Sequence, residues 1–269
     1  NYWQCWYCLI GFYNGTNSKS NSGDTLLGIR GTPYLIIDNV DIVWLAFRMA
    51  RIARVVAPGI PHHVTQRGNR RQQTFFNDED YQAYLQLMSQ WCAKYKVRIW
   101  AYCLMPNHVH LIAVPETKEG LNLAIGEAHR RYTRRINFRE GWRGHLWQGR
   151  FSSFILDENH LLACVRYIEL NPVRAGIVKT PESWRWSSAR AHVKRIDDIL
   201  VQTKPLLSMI NSSWRKFISS DARESEMALF RKHERTGRPI GDDTFIERLE
   251  RLLDRKLKPQ KPGPKPKDK

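Results

Sequence analysis

From Pro58 onward the apolar positions recur with a period that switches between two and about 3.6, the mark of strands interleaved with helices. The run HHVTQRG at 62–68 alternates as a strand, and Asp78 reads as the cap of a helix over 79–95 with Tyr81, Leu85, Met88 and Cys92 on one stripe. VRIWAYCLM and HVHLIAVP read as two strands joined by a turn at Pro106–Asn107. A helix over 120–138 carries Leu121, Ile125 and Ala128 on its apolar side, and SSFILD at 152–157 is a fourth strand. Asp157 caps a further helix, ENHLLACVRYIELNP, which should stop at Asn171 ahead of Pro172. The order β-α-β-β-α-β is that of a ferredoxin-like split βαβ sheet, an α+β fold. We expect an antiparallel sheet with helices on one face, one more helix carrying Tyr167, and a helical carboxy-terminal extension.

Composition adds bounds to this picture. With 269 residues, 42% hydrophobic, the chain can hold one well-cored domain with appendages or two small ones. No run reaches the ~18 apolar residues of a membrane span, since the best candidate, YLIIDNVDIVWLAF, is broken by Asp38 and Asp41. Five cysteines, several in apolar contexts, suit reduced thiols in a cytoplasm, and the Cys5/Cys8 spacing has no second metal-like pair to complete it. The net charge of +17 falls wholly beyond residue 48, as 40 basic against 23 acidic side chains, and asks for a polyanion, nucleic acid before a membrane surface. Residues 1–48 are balanced in charge and precede the first methionine, Met49. We read them as a non-native or disordered extension in which YLIIDNVDIVWLAF associates loosely at most. A working domain at 49–190, an accessory DNA-binding helical region at 191–256 and a basic disordered tail at 257–269 complete the division.

In CLMPNHVHLIAVPE, residues i and i+2 of a strand share a face, so His108 and His110 project together, either as cation ligands or as hydrogen-bonded core histidines. Tyr167 and Asn171, four apart on a helix, also share a face. An amide oxygen suits a hard cation such as Mg²⁺ or Mn²⁺, and a tyrosine can act as a covalent nucleophile when its phenolate is stabilised. Tyr132, inside HRRYTRR, is the rival on charge grounds. Arg67, Arg70 and Arg71 follow the first strand, and Arg130, Arg131, Arg134 and Arg135 lie on the second helix. Both runs suit backbone phosphates. Trp142, Trp147 and Phe151, interleaved with Arg143 and Arg150, serve either base stacking or the core.

Four ordered blocks, MPNHVHLI, GHLWQGRFSS, VRYIELNPVRAGIV and WRWSS, resemble the single-tyrosine HUH transposases, most of all the REP-associated tyrosine transposases, over about half the chain. The resemblance implies a ferredoxin-like endonuclease acting on single-stranded DNA that folds into hairpins. It makes His108 and His110 the metal ligands, Tyr167 the nucleophile and Asn171 a third ligand, and it favours metal binding over core packing for the histidine pair. Arg150, in the second block, joins the DNA-binding arginines. Cleavage would leave a 5′-phosphotyrosine and a free 3′-hydroxyl, with Mg²⁺ or Mn²⁺ but no nucleotide cofactor, in a monomer or homodimer. No GxxxxGK[ST] loop is present. Two other readings stand beside this one: a metal-dependent hydrolase with no covalent step, and a DNA-binding regulator with an inactive nuclease fold.

Overall fold

The alternation becomes a four-stranded sheet in the order β2-β3-β1-β4, every neighbouring pair antiparallel. A computed structural model describes residues 54–219 and 224–258; residues 1–48, with Cys5, Cys8 and the apolar run 34–47, and the tail beyond 258 lie outside the described residues. The strands are β1 (His62–Arg67), β2 (Val97–Met105), β3 (His108–Pro115) and β4 (Ser152–Ile155). Between them run α1 (Asp78–Lys94) and α2 (Gly120–Glu140), giving the ferredoxin-like order that the pattern predicts. Then come α3 (Glu158–Glu169), α4 (Asn171–Arg174), α5 (Ala189–Lys194), α6 (Lys204–Leu207), α7 (Trp214–Ser219), α8 (Glu224–Thr236) and α9 (Asp243–Leu253). Among the described residues no helix is long and apolar enough to cross a membrane.

Register decides which side chains meet. Thr65 lies opposite His110, Arg67 opposite His108, and His63 opposite Ile112 and Phe154. Directly paired residues share a face, so one face carries His63, Thr65, Arg67, His108 and His110. The other carries Val64, Val109 and Leu111, and α1 and α2 cover it with Tyr84, Met88, Leu121, Ile125 and Tyr132. The two crossover helices thus share one face, as expected. The added helix α3 lies on the opposite face, where Leu161, Cys164, Val165 and Ile168 pack with Ala101, Cys103, Ile112 and Phe154. Trp147 and Phe151 are buried in the core with α1 and α2, whereas Trp142 stays 44% exposed beside Phe76.

Several helix ends differ from the sequence pattern by one to three residues. Asn77, in extended backbone, caps α1 by accepting from the Asp80 N–H at 3.0 Å; Asp78 is already inside the helix. Asp157 caps α3 as expected, accepting from His160 N–H at 2.8 Å. That helix ends at Glu169, two residues early, because Pro172 lacks the N–H a continuing helix needs but fits the first turn of α4. The helix α9 stops at Leu253, inside the helical region drawn to 256. Beyond α8 the chain returns to the sheet edge: Ile240 N–H donates to Ile155 O at 2.8 Å and Asp157 N–H to Ile240 O at 3.0 Å. That return seats α8 beside β4 and α3, on the histidine-bearing face.

Candidate active site

The two histidines of β3 project from one face as their spacing requires, with ring centroids 5.0 Å apart. His110 is buried; His108 is partly open. Behind His110 stands His63 of β1, 0% exposed, its Nε2 3.0 Å from His110 Nδ1. From α8, Glu234 brings Oε1 to 3.9 Å from Nδ1 of both His63 and His110. Phe230, one helical turn before Glu234 and so on the same side of α8, packs on Tyr167 at 5.5 Å between rings. Tyr167 itself is buried, its ring 5.7 Å from that of His110 and 6.2 Å from that of His63. The Arg174 guanidinium lies 4.6 Å over the Tyr167 ring and donates to the Tyr167 carbonyl at 2.6 Å.

Tyr132 is on the other side of the sheet, fully buried, its hydroxyl donating to Thr74 O at 2.7 Å. It cannot meet the histidines. The arginines divide in the same way. Arg67, Arg71 and Arg150 line a cleft of about 740 Å³ together with His108, His110 and Glu234, and Arg70 is exposed in the adjoining loop. Arg130, Arg131, Arg134 and Arg135 lie on the solvent side of α2, across the sheet from Tyr167. Of these, Arg130 and Arg131 already donate to Glu127. The loop 68–74 is held against the β2–β3 turn by Gly68 N–H donating to Asn107 O at 2.8 Å and Thr74 N–H to Pro106 O at 2.8 Å. A Cβ on Gly68 would collide with the Gln72 carbonyl oxygen, and Arg70 and Arg71 adopt left-handed backbone with φ of 53° and 62°.

Burial sets the protonation states. It lowers His63 to about 3 and, with the nearby Arg67 charge, His108 to about 4; His110 is also held well below its usual value. All three are therefore neutral imidazoles at neutral pH, the form that ligates a metal. Burial, followed by the negative charge of Glu234, pushes the Tyr167 phenol up to about 12, with Arg174 and Arg231 pulling the other way. Burial likewise raises Glu234 to about 7.

His63 Nδ1, Glu234 Oε1 and Asn171 Nδ2 are buried without a hydrogen-bond partner. Donor atoms of His63, His110 and Glu234 lie within 4.8 Å of one another. Neutral imidazoles beside an unpartnered carboxylate oxygen are compatible with a divalent cation. Neither His63 nor Glu234 was singled out by sequence pattern. His63 does repeat the signal that flagged His110, a histidine at a buried strand position, whereas nothing around FRKHERTGRP marks Glu234.

Part of this chain resembles known proteins. The family model described as "Transposase IS200 like" matches residues 58–171. That match covers less than half of the chain. Over 116 residues, 39% of this chain, the sequence is 29% identical to a Haemophilus influenzae protein named as a REP-associated tyrosine transposase, and spans 66% of that relative's length, just under two thirds. A solved REP-associated tyrosine transposase bound to a REP hairpin aligns with a TM-score of 0.48 and 24% identity over 56% of this chain and 90% of that one. A Deinococcus radiodurans protein named as a transposase aligns with a TM-score of 0.32 and 19% identity over 44% and 95%. The resemblance read from the four motif blocks is borne out. The matched segment contains β1 to β4 and α1 to α3 and ends at Asn171, so Glu234 and Arg174 lie outside it.

Proposed function

We propose that this protein is a transposase-type endonuclease and strand transferase that cuts single-stranded, hairpin-forming DNA through a covalent 5′-phosphotyrosine. The observation that carries this reading is the packing of the Tyr167 ring 5.7 Å from that of His110, beside an arginine-lined cleft, in a chain with an IS200-like segment. Tyr167 Oη attacks the scissile phosphorus in line. The P–Oη bond forms as the P–O3′ bond breaks, the phenol proton is lost, and the departing 3′ oxygen gains one. One phosphodiester replaces another, so rejoining needs no nucleotide cofactor.

His108, His110 and Asn171 would hold Mg²⁺ or Mn²⁺, which when bound polarises the phosphoryl oxygen as a Lewis acid. Arg174 holds positive charge over the ring of the attacking phenol. Arg67, Arg71 and Arg150 bind phosphates along the cleft, and Phe230 with His63 and His110 fixes the Tyr167 ring. Hairpin DNA is the substrate class that the family resemblance implies.

One observation favours a second reading: Glu234 puts a carboxylate among the histidines, as a hydrolase using water would require. Incubation of the protein and Mn²⁺ with a hairpin oligonucleotide labelled 3′ of the cleavage site separates the readings. The proposal expects label covalently bound to protein and resistant to denaturation. Cleavage with no adduct would favour hydrolysis, and binding without cleavage would favour the regulator.

A further inference from the structure

The contact between His63 and His110 has a direction, and the surroundings choose it. At 3.0 Å, one of His63 Nε2 and His110 Nδ1 must carry the proton and the other the lone pair. If His63 Nε2 donates, a neutral His63 turns a bare Nδ1 lone pair toward the Glu234 oxygen, and with Glu234 ionised two buried acceptors face each other unpartnered. His110 would then carry its own proton on Nε2 and could not ligate through it. If His110 Nδ1 donates instead, His63 is protonated at Nδ1. Glu234 Oε1 is the acceptor 3.9 Å from that nitrogen, a gap that closes to a hydrogen bond with a shift of about 1 Å. Both orphaned atoms are then satisfied, and His110 Nε2 is left with a free lone pair. His63 is 0% exposed and stands behind His110, whereas His110 and Glu234 line the cleft, so His63 is placed to orient His110 from behind.

We infer that Glu234, His63 and His110 form a hydrogen-bonded chain that fixes the His110 tautomer and presents its Nε2 to the cation, making His63 and Glu234 positioning residues for the metal centre. Buried imidazole ligands commonly depend on such a partner behind them. Glu234 comes from α8, outside the IS200-like segment, so the carboxy-terminal helical region completes the centre. The inference rests on the metal reading above for its purpose, but the tautomer can be read without metal.

The test uses the full chain, labelled with ¹⁵N at histidine and freed of metal, and reads the imidazole nitrogen–proton correlations at neutral pH. The chain predicts protons on Nδ1 of both His110 and His63; a proton on Nε2 of His110 overturns it. Calorimetric titration with Mn²⁺ then compares wild type with His63→Phe and Glu234→Ala, with thermal midpoints measured in EDTA as the folding control. Each variant should bind Mn²⁺ about 10- to 100-fold more weakly, and unchanged affinity in folded variants would overturn the inference. The tautomer spectrum is taken on wild type, so it decides even if a variant fails to fold. Absence of Mn²⁺ binding by wild type with the expected tautomer would sink the metal reading and leave the hydrogen-bonded chain standing.

Discussion

A buried phenol held up to about 12 is almost fully protonated at neutral pH, so Tyr167 needs local help to attack. Arg174 is the cation in contact with its ring. A cation over an aromatic face contributes roughly 0.5 to 2 kcal/mol, and more once the ring carries charge. Arg174→Met, which keeps length and removes charge, should therefore slow covalent adduct formation about tenfold in single-turnover assays, with the pH dependence moved upward. A faster variant would show that Arg174 restrains the tyrosine instead. Tyr167→Phe removes only the nucleophilic oxygen. It should abolish the adduct while hairpin affinity, measured by fluorescence anisotropy, stays within about twofold, because the ring still fills its place among His63, His110 and Phe230.

At the scale of the element, α3 must hold Tyr167 still, and its last residue does much of this. Glu169 is fully buried and accepts from Ser188 Oγ at 2.5 Å, His192 Nδ1 at 2.7 Å and Trp214 Nε1 at 2.8 Å, tying α3 to α5 and α7. The carboxylate in the YIELNP block is thus occupied by the fold. Glu169→Ala leaves two buried donors, His192 Nδ1 and Trp214 Nε1, unpaired and should cost about 3 to 5 kcal/mol, visible as a large drop in urea midpoint. A midpoint unchanged from wild type would mean that the network holds nothing. The loop after β1 makes a comparable demand: a side chain at Gly68 cannot be accommodated without moving Gln72. Gly68→Ala should displace Arg70 and Arg71 and weaken hairpin binding more than it lowers thermal stability.

Over the whole molecule, charge and protonation set the working conditions. The +17 charge makes DNA binding salt-dependent, and each phosphate contact contributes roughly 0.7 to 0.9 to the slope of log affinity against log salt. Arg71→Ala and Arg150→Ala, in the cleft, should lower both that slope and the cleavage rate. Arg134→Ala and Arg135→Ala, across the sheet, should lower the slope alone; equal loss of cleavage from both pairs would contradict the two-sided layout. Stability should also fall in acid. Burial lowers His62 to about 4 and, with the nearby Arg54 charge, His129 to about 3, both below the unfolded value of 6.5. Between those limits the unfolded chain binds more protons, so stability is complete above about pH 6.5 and is lost as the pH falls through that window. His62 alone accounts for about 3 kcal/mol, and urea melts from pH 7 to 4 should show the decline. Stability that rises on acidification would refute these protonation states.

What the amino-acid sequence determined by itself is everything that depends on short-range periodicity. Strand alternation put His108 and His110 on one face, the polar caps and prolines marked the helices to within a few residues, and the element order led to the ferredoxin-like sheet. Net charge is additive and needs no fold. What only the tertiary structure decided is every relation across elements. Tyr132 and Tyr167 are both helical tyrosines near arginines, and the sheet separates them because α2 and α3 cover opposite faces. The arginines divide between cleft and far side for the same reason. His63 meets His110 because β1 pairs with β3 in one particular register, and Glu234 arrives because Ile240 hydrogen-bonds to the edge strand and carries α8 back over the site. Strand register and helix docking are set by the summed burial of many side chains, and no local pattern around Glu234 encodes where that sum will place it.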